Sequence, residues 1–273
     1  MTIQSTLILS AIFSFIGASI YAYVGWRLSK RVISSPESRL AWQFFTVWWY
    51  GLAATTLIGG LQNLLGALGW TNLAVFVTAN YISLQLSCLA LLGLFYYLTF
   101  LFTGNSRWLT PLAILYTIFF ILLIYFVSAS DPVGVTLGPW RSSLAYDVPP
   151  TAPLAIGLVV LLLGSQIIGG FAYFTLYFQV PDVTQKYRIL LVSWSIIIWF
   201  LSPFVGVVAR LEGQDWWQLA SRFISLAAGL TILIAYQPPQ WLKQRYGILS
   251  LSDESNQGVR SEPARRGHSG ALR

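Results

Sequence analysis

Histidine, cysteine and methionine each occur once in this chain, and only 9% of its residues are charged. Each scarcity removes a class of chemistry. The one histidine, His268, lies in a polar C-terminal stretch, so no apolar segment offers the axial ligand that an embedded haem needs. No His, Cys and carboxylate cluster has metal-ligand spacing, so no metal site is expected. The lone Cys88 excludes an intrachain disulfide. Lysine occurs only at positions 30, 186 and 243, all outside the apolar runs, so no residue can form a Schiff base with retinal. Aspartate and glutamate are absent from those runs too, which removes intramembrane proton relays and paired-carboxylate hydrolysis. No enzyme activity and no cofactor are expected.

What remains is apolar. Hydrophobic residues make up 56% of the chain and the mean hydropathy is +0.67, whereas a soluble domain carries roughly a quarter charged residues. The composition is that of an all-α integral membrane protein. About 20 apolar residues carry a helix across the hydrocarbon layer, and seven stretches qualify: approximately 7–26, 41–65, 73–102, 109–128, 154–178, 189–208 and 217–236. They define a seven-transmembrane-helix bundle over residues 1–238, a basic juxtamembrane segment over 239–251 and a tail over 252–273. The tail is too polar to offset its ordering entropy and is expected to be disordered. The N-terminus MTIQST has no basic n-region, so the first run reads as a retained helix rather than a cleaved leader.

The net charge of +7 reports topology, not affinity for nucleic acid. Arg27, Lys30, Arg31 and Arg39 crowd the first connection, Lys186 and Arg188 the fifth, and Lys243 and Arg245 follow the last span. The fourth and sixth connections instead balance Arg141 and Arg210 with Asp131, Asp147, Glu212 and Asp215. Because Lys and Arg favour the cytoplasmic side, the N-terminus is placed outside and the C-terminus in the cytoplasm of a multi-pass inner-membrane protein. Trp26, Trp70, Trp108, Trp216 and Trp241 fall at span ends, as an aromatic belt requires.

A few polar residues sit inside the spans. At 1.5 Å of rise per residue, Arg222 and Ser202 lie ~9 Å below the outer surface and Asn80 ~10 Å, with Gln62 and Asn63 in the last turn of the second span. This outer-third layer is the candidate binding site for a small ligand or lipid, with Arg222 as its anion-binding anchor. Two other readings of Arg222 stay open: its side chain reaches back to the headgroups, or it pairs with Asp215. Asn80, Gln85 and Gln166 also read as interhelical hydrogen bonds, and Gly59, Gly60, Gly164, Gly169 and Gly170 as points of close helix approach. Pro203 is expected to kink the sixth span, and Pro238 and Pro239 to end the seventh. Beyond them, WLKQRYGIL mixes apolar residues with Lys243 and Arg245, as a short interfacial helix does.

Three stretches together resemble a known family. WQFFTVWWYGLAATTLIG follows a basic first loop; LLGLFYYLTFLFTGNSRWLTP ends a long apolar helix in a Phe-Thr-Gly turn and a basic-Trp step; WLKQRYGILSLSD forms a basic exit. They are similar to the seven-transmembrane-helix N-terminal sensor region of bacterial histidine kinases and diguanylate cyclases. Here no kinase or cyclase domain follows, so the resemblance implies a sensor-like bundle that signals through a separate cytoplasmic partner, or one that has lost signalling. It transfers no ligand-binding residues. Two further functions remain open, a small-solute transporter and a scaffold or accessory subunit within a membrane-embedded oligomer.

Overall fold

A computed structural model describes residues 2–31, 33, 35–129, 132–146, 153–212, 215–248 and 250. The tail from 251 onward therefore lies outside the described residues, as do Gly213 and Gln214. Seven long helices dominate: α1 Ile3–Ser29, α2 Pro36–Ala67, α3 Leu73–Thr103, α4 Leu109–Ala129, α5 Pro153–Gln179, α6 Val183–Glu212 and α7 Asp215–Tyr236. A short α8, Gln240–Tyr246, follows, and an antiparallel pair of strands, β1 Pro132–Leu137 and β2 Ser142–Tyr146, joins α4 to α5. Among the described residues three helices, α1 to α3, are long and apolar enough to cross a bilayer, or four if the bent pair α7–α8 is one span. The chain is thus an all-α protein with three to four helices long and apolar enough to cross a membrane.

α1, α2 and α6 begin four to six residues before their apolar runs, because polar residues cap helices outside the hydrocarbon. The Thr2 hydroxyl accepts from the Ser5 amide at 3.3 Å, Ser35 from Ser38 at 3.4 Å, and Asn72 from Val75 at 3.3 Å. Each satisfies one of the orphan N–H groups of a first turn. Asp182 does the same for Gln185 at 2.8 Å. α3 stops at Gly104, whose φ of 64° is left-handed, and Asn105 caps the following turn by accepting from the Arg107 amide at 2.9 Å. That turn is the FTGNSRW step.

In the bundle α1 packs on α2 and α7, α2 on α3, α3 on α5, α5 on α6 and α6 on α7, so six helices close a ring. α4 lies outside it against α3 and α5, with Ile114, Ile121 and Tyr125 more than half exposed. The bundle has two distinct ends. The hairpin covers one, near the starts of α1 and α3 and the end of α2. At the other, the exit end, lie the α1–α2 connection, the α5–α6 connection and α8.

The buried core is concentrated towards the exit end and is aromatic. Phe45 is its hub: its ring stands 4.3 Å from Tyr97, 5.6 Å from Trp42, 5.6 Å from Trp48, 6.0 Å from Trp49 and 6.4 Å from Tyr173. Aromatic pairs at such separations add roughly 0.5–1.5 kcal/mol each beyond burial. In lipid this packing matters more than apolarity, since surrounding acyl chains are as apolar as the core. Close approach of α2 and α3 makes it attainable. A β-carbon at Gly51 would stand 2.6 Å from the Ala90 β-carbon, and one at Gly93 would press into the Phe44 carbonyl oxygen. The expected close-approach glycines divide: Gly60 abuts Phe15 and Gly170 abuts Ile197, whereas nothing stands within 4 Å of a β-carbon at Gly59 or Gly164.

Gly93→Ala is expected to lower stability by about 1–3 kcal/mol through overpacking against backbone, while Gly59→Ala leaves it unchanged or raised. Thermal midpoints of the two variants in one detergent, read by size-exclusion fluorescence, check the contrast.

Candidate functional site

The polar residues of the hairpin end are drawn into the helix seams. Asn63, on α2 and 1% exposed, is the most central. Its amide nitrogen donates to the Ser10 hydroxyl of α1 at 3.1 Å, and its carbonyl oxygen accepts from the Ser142 backbone amide of β2 at 2.8 Å. One side chain therefore ties α1, α2 and the hairpin together. Gly66, three residues on, lets the hairpin seat there, because a β-carbon would overlap the Ser142 hydroxyl and crowd Leu137 at 2.9 Å. Trp140 and Leu144 are buried beneath the same face.

Ser202 forms a second tie. Its hydroxyl donates to the Ser221 carbonyl at 2.9 Å, and the Ser221 hydroxyl returns a bond to the Ser202 carbonyl at 2.7 Å. Seven residues away along both helices, the Ser195 hydroxyl donates to the Ala228 carbonyl at 2.8 Å. Two rungs spaced two helical turns apart thus zip α6 to α7. Pro203 lies in the same helix, which continues through it to Glu212.

Gln62 donates from its amide to the Phe76 carbonyl at 3.5 Å, a long bond across the α2–α3 seam. Asn80 follows Phe76 by one turn on α3 and is half-buried. Arg222, next to Ser221 on α7, is half-buried too, and both Asn80 and Arg222 are engaged in interactions within the chain. The side chain of Asp215 lies outside the described residues, as does that of Gln166. Of the expected layer, Gln62 thus reaches across the α2–α3 seam, Ser202 lies in the α6–α7 seam and Asn63 sits between α1 and the hairpin, while Asn80 and Arg222 stand on α3 and α7. Among the described residues no group of His, Cys, Asp and Glu could hold a metal ion.

The exit end carries the cations. Six cation–π contacts are described and all lie there, among them Lys30 over Trp26 at 3.7 Å, Arg31 over Trp42 at 5.0 Å and Arg188 over Tyr236 at 6.0 Å. Arg188 is only 7% exposed. After Tyr236 the chain breaks at Pro238 and Pro239, and α8 leaves at 48° to α7. Gln237, just before the break, donates from its amide to the Tyr23 hydroxyl of α1, which fastens the foot of α7 to its neighbour.

The hairpin was not foreseen from the sequence, although its signal exists. PVGVTL and SSLAY flank Gly138-Pro139-Trp140-Arg141, a breaker dipeptide between segments rich in β-branched or alternating residues. The Gly138 amide donates to the Arg141 carbonyl at 3.0 Å and closes that turn.

Asn63→Ala leaves the Ser142 amide without its acceptor, at a cost of about 1–3 kcal/mol, and loosens the hairpin. Trypsin cleavage after the exposed Arg141 in detergent-solubilised protein is expected to accelerate several-fold, while Gln62→Ala changes it little.

No family model, no curated protein and no solved structure matches this chain.

Proposed function

We propose that the chain is a sensor-like seven-span membrane protein with its hairpin outside and α8 in the cytoplasm, passing an outer-face ligand signal to a separate cytoplasmic protein. The observation that carries this reading is the contrast between the two ends. One presents a hairpin tied to α1 and α2 through the buried Asn63. The other presents a basic helix leaving through a double-proline break. A ligand that shifts the hairpin has a covalent and hydrogen-bonded route along α1 to the Tyr23–Gln237 contact beside that break.

The orientation rests on charge. Nine Lys and Arg residues against Glu37 and Asp182 lie at the exit end, while the hairpin-end connections carry four acidic residues. Cations gather on cytoplasmic surfaces. The exposed Trp241 and Tyr246 of α8 suit a headgroup layer, and Lys243 and Arg245 suit its anionic lipids. The resemblance of the FTGNSRW turn and the basic exit to bacterial sensor regions supports the same assignment. Arg222 and Asn80, half-buried near the hairpin end, are the proposed polar contacts for the ligand, which is small and neutral or anionic.

Orientation is tested by single cysteines, since native Cys88 is only 4% exposed. Val133→Cys is expected to react with a membrane-impermeant maleimide in intact cells, and Trp241→Cys only after permeabilisation. The function is tested with a fluorophore on Trp241→Cys in proteoliposomes exposed to fractionated medium at the hairpin side. A ligand-dependent emission change that Arg222→Ala abolishes without altering the thermal midpoint is the expected result. Saturable solute uptake with no such change would replace sensing by transport.

A further inference from the structure

A groove of about 530 Å³ runs along the outside of the bundle between α1 and α7. That volume lies within the roughly 300–1,000 Å³ of small-molecule sites. Its walls are apolar side chains, among them Ile16, Ile20 and Leu233, with Ser19 between them. Its exit-end limit is polar, formed by Tyr23 and Gln237. One helical turn further, the Arg27 guanidinium stands 5.9 Å from the Tyr23 ring, and its buried Nε has no hydrogen-bond partner among the described residues. Lys30 stacks on Trp26, whose ring is 5.9 Å from that of Tyr23. The groove is therefore an apolar slot closed by donors and fixed positive charge.

We infer that this slot is a binding site for one anionic phospholipid, with an acyl chain between α1 and α7 and the phosphate at Tyr23, Gln237 and Arg27. The slot opens sideways, where the surface of α1 presents Ile8, Ile12 and Ile16, so its occupant arrives from the bilayer. A phosphodiester supplies acceptors for the Arg27 N–H groups, the Tyr23 hydroxyl and the Gln237 amide, and charged hydrogen bonds of this kind are the strong ones. The surplus of cations at this end selects an anionic headgroup over a zwitterionic one. Gln237 immediately precedes Pro238, so the bound phosphate touches the residue from which α8 departs. The inference goes beyond the sensor reading and does not need it.

The test is native mass spectrometry of the full chain with phosphatidylglycerol or phosphatidylcholine of identical acyl chains. The wild type is expected to keep one phosphatidylglycerol under detergent conditions that strip phosphatidylcholine. Ser19→Trp, which fills the slot, and Arg27→Gln, which removes the charge, are each expected to lower the retained fraction about tenfold, equivalent to ~1.4 kcal/mol. Ile8→Trp, on the exposed face of α1 outside the slot, is expected to retain lipid as the wild type does. Glycerol phosphate, a headgroup without chains, is expected not to displace the lipid. Should Ser19→Trp fail to fold, phosphatidylglycerol with a photoreactive acyl chain reads the site directly, with crosslinks expected in 15–23 and 233–237. Equal retention of both lipids, undiminished retention by Ser19→Trp and Arg27→Gln, displacement by glycerol phosphate, or crosslinks scattered over α4 would each overturn the proposal. Lipid retention without any α8 response would leave it standing and count against the sensor function.

Discussion

A polar group inside hydrocarbon has no water to return to, so a donor or acceptor at that depth is costly unless it finds a partner within the chain. This constraint shapes the bundle. Hydroxyls inside the helices turn back onto carbonyls of the preceding turn, as Ser14 does to Ser10 at 2.9 Å and Thr46 to Trp42 at 2.9 Å. Those with a neighbouring helix within reach cross to it instead: Tyr21 donates to the Ser225 carbonyl at 3.1 Å and Ser195 to that of Ala228. Each crossing bond is worth little, on the order of 0.6–2 kcal/mol in membranes. It fixes rotation about the helix axis, which apolar packing alone leaves loosely specified.

The same requirement makes Asn63 more consequential than its size suggests. An amide side chain both donates and accepts, so it can serve a hydroxyl on one element and a backbone amide on another at once. Ser10 and Ser142 are those two partners. A serine or threonine at 63 would not span both, and an apolar residue would strand the β2 amide. The hairpin is thus held by a specific hydrogen bond laid over a small buried apolar face, Trp140 and Leu144. Such an attachment can loosen without melting the bundle, because the aromatic hub around Phe45 lies towards the opposite end.

The sequence disclosed the helices more fully than their relations. Apolar runs placed all seven long helices, and the polar caps at Thr2, Ser35 and Asp182 explain why α1, α2 and α6 start four to six residues earlier than those runs. Which polar residue meets which was hidden, because depth along a helix is readable from rise per residue whereas azimuth depends on neighbours. Ser202 and Gln62, read at similar depth from the same surface, turn out to lie in different seams, α6–α7 and α2–α3. Ser202 and Ser221 could be paired only once α6 and α7 were known to be adjacent and antiparallel, and then Ser195 and Ala228 follow by the seven-residue spacing. The hairpin escaped for a different reason: its strands are five or six residues long, too short for periodicity to outweigh the acidic and proline residues around them.

Both ends of the bundle meet on α1. Its first half carries Ser10, which accepts from Asn63, and its last turns carry Tyr23, which accepts from Gln237, and Arg27. Ser10 and Tyr23 are separated by thirteen residues, roughly 20 Å of helix. A helix moves more nearly as a rigid rod than as a chain of independent contacts, so a rotation that suits a displaced hairpin is felt at Tyr23 with little loss. Between these points α1 packs against α2, where Gly60 receives Phe15 and Ser14, and against α7, where a β-carbon at Gly229 would stand 3.6 Å from the Ile20 side chain. These contacts lack the backbone interlock of Gly93 on Phe44. The α1–α7 seam is instead joined by hydrogen bonds, from Tyr21 to the Ser225 carbonyl and from Gln237 to Tyr23, whereas α2 and α3 interlock through backbone.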